Sequence, residues 1–293
     1  MPTWLIVTLA VVGAVAAAMA LVLWGGAGRW RAESTDLQNA LADAASVAAS
    51  GGVDFAELDL IGLPDPVLRY FRWALTDGQP RILTACILQE GRFLLRPEEQ
   101  GWARFSAMQV FSADPPGFVW DARMQMAPLV SVRVRDAYDF TGRGGMVAKV
   151  ASLVTVMDQT GRSELDEASL QRFLAEAVWI PTALLPGENL VWEAIDDRTA
   201  LATLTDPRSG TSASLQFRFG EQGEIVGVYT PSRYREADGE YELAAWAGSF
   251  WAYEEHEGMM IPMEGEVEWQ LPNSVLPYWK GRLVEVEYEF SSP

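Results

Sequence analysis

Three periodicities divide the chain. From Trp4 to Trp24 no residue is charged, and the run WLIVTLAVVGAVAAAMALVLW is apolar on every side. These 21 residues, at about 1.5 Å each, make a helix of about 31 Å, the thickness of a hydrocarbon layer. Trp4, Trp24 and Trp30 stand where aromatic side chains mark the two membrane interfaces. Ala18-Met19-Ala20 fits a small-residue cleavage pattern. The Met-Pro-Thr start, however, carries no Lys or Arg, and the run exceeds a signal-peptide core, which favours an uncleaved single-pass anchor. A second helix, Glu33 to Ala49, places Leu37, Leu41, Ala44 and Ala48 on one side, continues from the anchor as a stalk and is stopped by Gly51-Gly52. A third starts at Pro66, with Val67, Leu68, Phe71 and Leu75 at helical spacing.

From Arg81 onward the period falls to 2. Val130, Val132 and Val134 alternate with Ser131, Arg133 and Arg135; Leu215, Phe217 and Phe219 alternate with Gln216 and Arg218; Val284, Val286, Tyr288 and Phe290 alternate with glutamates. One apolar and one solvated face is the pattern of antiparallel sheet. Turn signals at Arg96-Pro97, Asp114 to Gly117, Thr141-Gly142, Asp206-Pro207, Glu221 to Gly223 and Asp238-Gly239 divide about eleven or twelve strands. So many strands in a twisted open sheet must curl. One helix interrupts the meander: Ser163 with Asp166 three residues on reads as a capping box, Leu170, Phe173, Leu174, Ala177 and Val178 form the stripe, and Trp179-Ile180-Pro181 ends it. The fold class is mainly β: a long antiparallel meander curled into an incomplete barrel with a covering helix, preceded by a transmembrane helix and short helices. Residues 1–32 form the anchor, 33–62 the stalk and 63–293 one β-rich domain.

Charge narrows the partners. Forty acidic residues against 22 basic ones give a formal charge of −18, and every charge lies beyond residue 28. Nucleic acid is excluded as a partner, because phosphate binding needs a basic face. Docking on anionic head groups through a basic patch is disfavoured for the same reason. Arg29 and Arg31 follow the anchor and draw the domain to the cytoplasmic side by the positive-inside rule, although Glu33 and Asp36 come soon after. Cys86 is the one cysteine, so no intrachain disulfide or cysteine-rich metal site forms.

Several ordered phrases resemble an uncharacterised bacterial family that carries only a domain-of-unknown-function label: LPDPVLRYFRWAL (63–75), PPGFVWDAR (115–123), VRDAYDFTGRG (134–144), LAEAVWIPTALLP (174–186) and PYWKGRLVEVEYE (277–289). That resemblance implies a bacterial source and assigns no activity. The architecture is also similar to the lipoprotein carriers of LolA and LolB type, a resemblance of strand count and helix position. It implies an apolar cavity and an extracytoplasmic domain, against the arginine signal.

Chemistry-bearing residues are sparse. Glu254-Glu255-His256-Glu257 would put its side chains on alternate faces of a strand, so no metal site is expected. Asp196-Asp197, the alternate glutamates Glu264, Glu266 and Glu268, and Glu176 beside Trp179 are carboxylates available for acid–base work; Glu176 equally suits pairing with a buried arginine such as Arg69 or Arg72. No G-x-S-x-G, G-x-x-x-x-G-K-[ST], H-E-x-x-H or G-x-G-x-x-G occurs, and no catalytic residue or cofactor is assigned. The unusual inventory is large rings and thioethers, which suit flexible apolar ligands. Leu170, Phe173, Leu174, Trp179, Leu184, Leu185, Trp120, Met124 and Trp192 are the candidate groove residues. The leading reading is a membrane-anchored module that binds a lipid or other apolar ligand in a half-barrel groove. A structural or partner-binding envelope domain with a filled barrel is the alternative, and a carboxylate-dependent enzyme is the third.

Overall fold

The computed structural model describes residues 2–48, 54–96, 101–127, 130–237 and 239–291. The period-2 segments pair into one antiparallel sheet of thirteen strands. The first half runs β1 (Ile82–Arg96), β2 (Gly101–Ser112), β3 (Gly117–Ala127), β4 (Val130–Tyr138), β5 (Gly144–Val150) and β6 (Val154–Thr160). The second half runs β7 (Leu190–Asp196), β8 (Thr199–Thr205), β9 (Ser212–Phe219), β10 (Ile225–Ala237), β11 (Glu240–His256), β12 (Met259–Leu271) and β13 (Ser274–Phe290). Within each half every strand pairs with its sequence neighbours, and β13 returns to β1, so β6 and β7 are the two edges. The count exceeds the sequence expectation because segments such as β6 are exposed on both faces and carry no buried alternation to read. The turn signals at Asp114–Gly117, Thr141–Gly142, Asp206–Pro207 and Glu221–Gly223 fall between strands, as expected. Gly51-Gly52, Pro97 and Asp238 lie outside the described residues.

The helix α3 (Ser163–Glu176) links the two edges by crossing one face of the sheet, where it packs against β4, β5, β9 and β10. The expected capping box is absent. Arg162 is the N-cap, and Ser163 Oγ donates to Glu164 rather than to the backbone. Asp166 is instead used tertiarily: its carboxylate accepts from the Gly144 N–H and the Arg143 guanidinium, both at 2.7 Å, and pins the start of the helix to β5. Two 3₁₀ turns, Ala177–Trp179 and Pro181–Leu184, carry the buried apolar run on to β7. Strands remote in the ladder meet across the face: Tyr138 Oη on β4 donates to Asp206 Oδ2 in the β8–β9 turn at 2.8 Å, and Gln159 on β6 donates to Glu236 on β10.

One uninterrupted helix, α1 (Thr3–Ala48), precedes the sheet, and it is long and apolar enough to cross a membrane. Its first part is exposed, whereas Trp30, Ser34, Gln38, Leu41 and Ala45 are buried along one stripe. That stripe lies on the outer side of β1–β3 and reaches the side chains of β4. Leu41 packs against Val119 and Ala137, and a Cβ at Gly117 would stand 2.5 Å from Leu41 Cδ1, so any larger residue there would push Leu41 aside. Glu33 accepts from Arg135 at 3.1 Å and from Lys149 at 3.4 Å, and both cations lie over the Trp30 ring. A short helix α2 (Asp65–Ala74) buries Val67, Tyr70, Phe71 and Ala74 and packs against β8, β9 and β12.

Candidate functional site: a cavity under the crossing helix

Between α3 and the inner faces of the strands lies a cavity of about 610 Å³. That volume falls in the range of about 300–1,000 Å³ that small-molecule sites occupy. Its geometry follows from the two faces of α3. Leu165, Ala168, Ser169, Arg172 and Glu176 recur at helical spacing and line the cavity. Leu170, Phe173 and Leu174 point the other way, into the core. The rest of the wall is rich in rings and thioethers, among them Trp120, Met124, Met146, Trp246, Trp269 and Trp279.

The mouth is defined by which wall residues are exposed. Met126, Val156 and Met157 all line the cavity and face solvent. By register, the β1–β2, β3–β4, β5–β6 and β12–β13 hairpins lie at one end of the sheet. Val130, Leu153, Val154 and Val275 add exposed apolar surface there. The apolar part of α1 leaves the domain at the same end, because a Cβ at Gly26 would collide with the Leu153 side chain. An apolar rim of this kind marks a contact surface, since isolated soluble domains rarely expose contiguous patches.

Opposite the rim, a chain of polar groups is buried. Trp120 Nε1 donates to Gln89 at 2.9 Å, Gln89 Nε2 to Gln109 at 3.0 Å, and Gln109 Nε2 to Glu176 at 2.6 Å. Arg172 closes the chain, donating from Nε to Glu176 at 2.8 Å and from Nη1 to Asp136 at 2.5 Å while lying over the rings of Phe118 and Trp120. Burial pushes the Glu176 carboxyl above its ordinary value, against the downward pull of Arg172 and Gln109. The partner of Glu176 is therefore Arg172. Arg69 and Arg72 are used elsewhere, on the Asp197 carbonyl and on Glu57.

Arg233 is a second wall arginine, 8% exposed. Its guanidinium lies 4.9 Å from the centre of the Trp246 ring, which is itself fixed by donating to Tyr278 Oη at 2.9 Å. The Nε and Nη1 of Arg233 are buried without a hydrogen-bond partner, as is the Trp179 indole nitrogen on the same wall.

Of the nine residues expected to form the groove, Trp120, Met124 and Trp179 are brought together on the cavity wall. Leu170, Phe173, Leu174, Leu184, Leu185 and Trp192 are buried in the surrounding core. Of the other carboxylates, Asp196 accepts from the Arg198 N–H, Glu264 accepts from Trp251, and Glu266 pairs with Lys280. His256 stands 3.9 Å from Glu254, and among the described residues no three potential ligands converge on one point. Arg233, Arg172 and Asp136 were missed by sequence reasoning. Asp136 had a signal, as the polar member of the inward series Val132, Val134, Asp136, Tyr138.

Comparison with known proteins gives a family but no activity. No curated protein matches the chain. Among solved structures, the chain is similar to a LolA superfamily protein from Nitrosomonas europaea (8% identity, 76% of this chain and 92% of that one, TM-score 0.31). It is also similar to a beta-barrel-like protein of the domain of unknown function DUF1849 from Brucella abortus (10% identity, 72% and 99%, TM-score 0.28). A match over residues 61–288, which takes in nearly all of the phrases singled out in the sequence, shows that the chain belongs to the family of unknown function DUF6920.

Proposed function

We propose that the protein is a membrane-anchored module whose sheet, curled into a half-barrel under α3, takes up a lipid or another apolar ligand. The observation that carries this reading is the cavity of about 610 Å³. A filled structural barrel would leave no such space, since protein interiors pack to crystal-like density. The wall chemistry agrees, because thioethers and large rings adapt to a flexible apolar body at little entropic cost. Access agrees as well. The exposed apolar rim and the membrane-spanning part of α1 lie at one end of the domain, so a ligand enters from the bilayer without crossing water. Native mass spectrometry of the full chain, released from membranes in mild detergent, tests the reading. Wild-type protein is expected to retain an apolar molecule. Ala148→Phe, which puts a ring into the cavity from its wall, is expected to lose it while remaining folded. Ligand-free wild-type protein would support the filled structural domain instead.

A further inference from the structure

We infer that the ligand is an anionic amphiphile, whose apolar tail lies along the Met and Trp wall of the cavity and whose acidic headgroup, a carboxylate or a phosphate, pairs with Arg233. The inference rests on the apolar-ligand reading above and adds the charge of the ligand to it. Its basis is a cation without a counter-group. Arg233 is more than nine-tenths buried, lines the cavity and leaves Nε and Nη1 without a hydrogen-bond partner. Stripping two guanidinium donors of water with only the face of a ring in exchange is unfavourable.

The other charges of the wall are already engaged. Asp136 and Glu176 are both held by Arg172, Arg235 faces Glu242 at 3.0 Å, and Glu236 accepts from Gln159. None of these carboxylates is within hydrogen-bond reach of Arg233, and burial pulls the Arg233 pKa below its ordinary value. The stack on Trp246 holds the guanidinium plane in place, which a Lys ammonium would not achieve. Its two unpaired donors lie in one rigid plane and point in fixed directions, ready to donate charge-assisted hydrogen bonds to carboxylate or phosphate oxygens. A β-bulge makes the placement deliberate. Thr230 pairs with Trp246 and Arg233 with Ala244, so three steps on β10 answer two on β11. The extra residue turns Arg233 inward, where strict alternation from Thr230 would have turned it to solvent.

The test uses the full chain in phosphatidylcholine vesicles containing either stearate with a diazirine on its tail or the methyl ester of the same molecule. After illumination, label on cavity-wall peptides is counted by mass spectrometry. The acid is expected to label the wall about tenfold or more above the ester, the ratio for one charge-assisted hydrogen-bonded pair. Arg233→Met should bring acid labelling down to the ester level, leave ester labelling unchanged, and keep or raise the melting temperature, because it removes an uncompensated buried charge. Arg233→Lys should retain part of the preference. Dodecyl phosphate should compete with the acid probe, whereas inorganic phosphate should not; competition by inorganic phosphate would mean a free-anion site and overturn the amphiphile. Equal labelling by acid and ester in wild type, or an excess that survives Arg233→Met, overturns the headgroup assignment while leaving the apolar cavity standing. No label from either probe overturns both.

Discussion

Trp30 and Asp121 lie 91 positions apart in the chain, and the indole N–H of one donates to both carboxylate oxygens of the other, at 2.9 and 3.0 Å. Ser34 Oγ donates to Asp121 at 2.7 Å and Arg133 Nη1 pairs with the same carboxylate at 3.4 Å, so Asp121 is a knot that ties α1 to the sheet. Trp30 is 1% exposed, and Arg135 covers its ring at 4.6 Å. The segment after the apolar run is therefore part of the folded domain rather than a loose tether.

A fragment starting at residue 26 should accordingly be more stable than one starting at residue 33. Losing a buried tryptophan costs about 3–5 kcal/mol, which in a domain of this size lowers the melting temperature by roughly 10 °C. Thermal unfolding of the two fragments side by side measures the difference. Equal melting temperatures would mean that the Trp30–Asp121 contact adds nothing to the fold.

The two faces of α3 predict opposite phenotypes. Leu174 is 1% exposed and packed in the core away from the cavity, so Leu174→Ala should cost about 2–5 kcal/mol with lipid retention unchanged. Ala148 lines the cavity, so Ala148→Phe should change stability little, since the ring enters empty space, and should abolish retention. Urea denaturation and native mass spectrometry of both variants check this crossed pattern. Loss of retention in Leu174→Ala with stability intact would put Leu170, Phe173 and Leu174 back on the ligand.

How much of this was legible beforehand differs from element to element. The alternation in Val130–Val134 and Leu215–Phe219 reports one buried face, and pairing with sequence neighbours does the rest, so the antiparallel meander follows from local pattern. The cavity does not follow. On α3 the apolar stripe marks the core side, while the side that lines the cavity includes Arg172, Glu176 and Ser169 and reads as a solvated face. Arg233 is hidden by the bulge between Thr230 and Arg233, because a single inserted residue reverses the inside–outside assignment of everything after it. Asp121 sits among charged residues of an outer strand face, and nothing local indicates that a helix from residue 30 covers it.

Acid should loosen the closure between the two halves of the sheet. Asp206 in the β8–β9 turn has a fully buried side chain that accepts from Tyr138 Oη at 2.8 Å and pairs with Arg208 at 2.7 Å. Burial pushes its carboxyl up, but the bonds from Arg208 and Tyr138 outweigh it and hold the pKa below the ordinary 3.8. A folded value below the unfolded one stabilises fully above the unfolded pKa and is lost as pH falls through the folded one. Stability should therefore decline below about pH 4. Asp206→Asn, which breaks the pair, should cost about 3 kcal/mol near neutral pH and flatten the decline. Urea midpoints at several pH values give both slopes, and identical slopes would remove Asp206 from the acid response.

The rim of the cavity should sit in the bilayer. Leu153 packs on α1 at Gly26, two residues after Trp24 and so about 3 Å along the helix axis from the expected interface. Val154, Val156 and Met157 follow Leu153 on the edge strand β6, and Val130 opens β4 at the same end; all are exposed. Leaving these side chains in water forfeits about 25 cal/mol for every Å² of apolar surface, whereas a helix that holds them at the interface level buries them in lipid. Nitroxide labels at Val130→Cys, Val156→Cys and Gln222→Cys, in a Cys86→Ser background, report depth through their collisions with oxygen and with a water-soluble nickel chelate. Labels at 130 and 156 should collide with oxygen, as lipid-embedded groups do. The label at 222 lies in the β9–β10 turn beside α2, at the far end of the domain, and should collide with the chelate. A label at 156 that behaves like the one at 222 would mean that the mouth opens into water, and that a ligand must leave the membrane before it can enter.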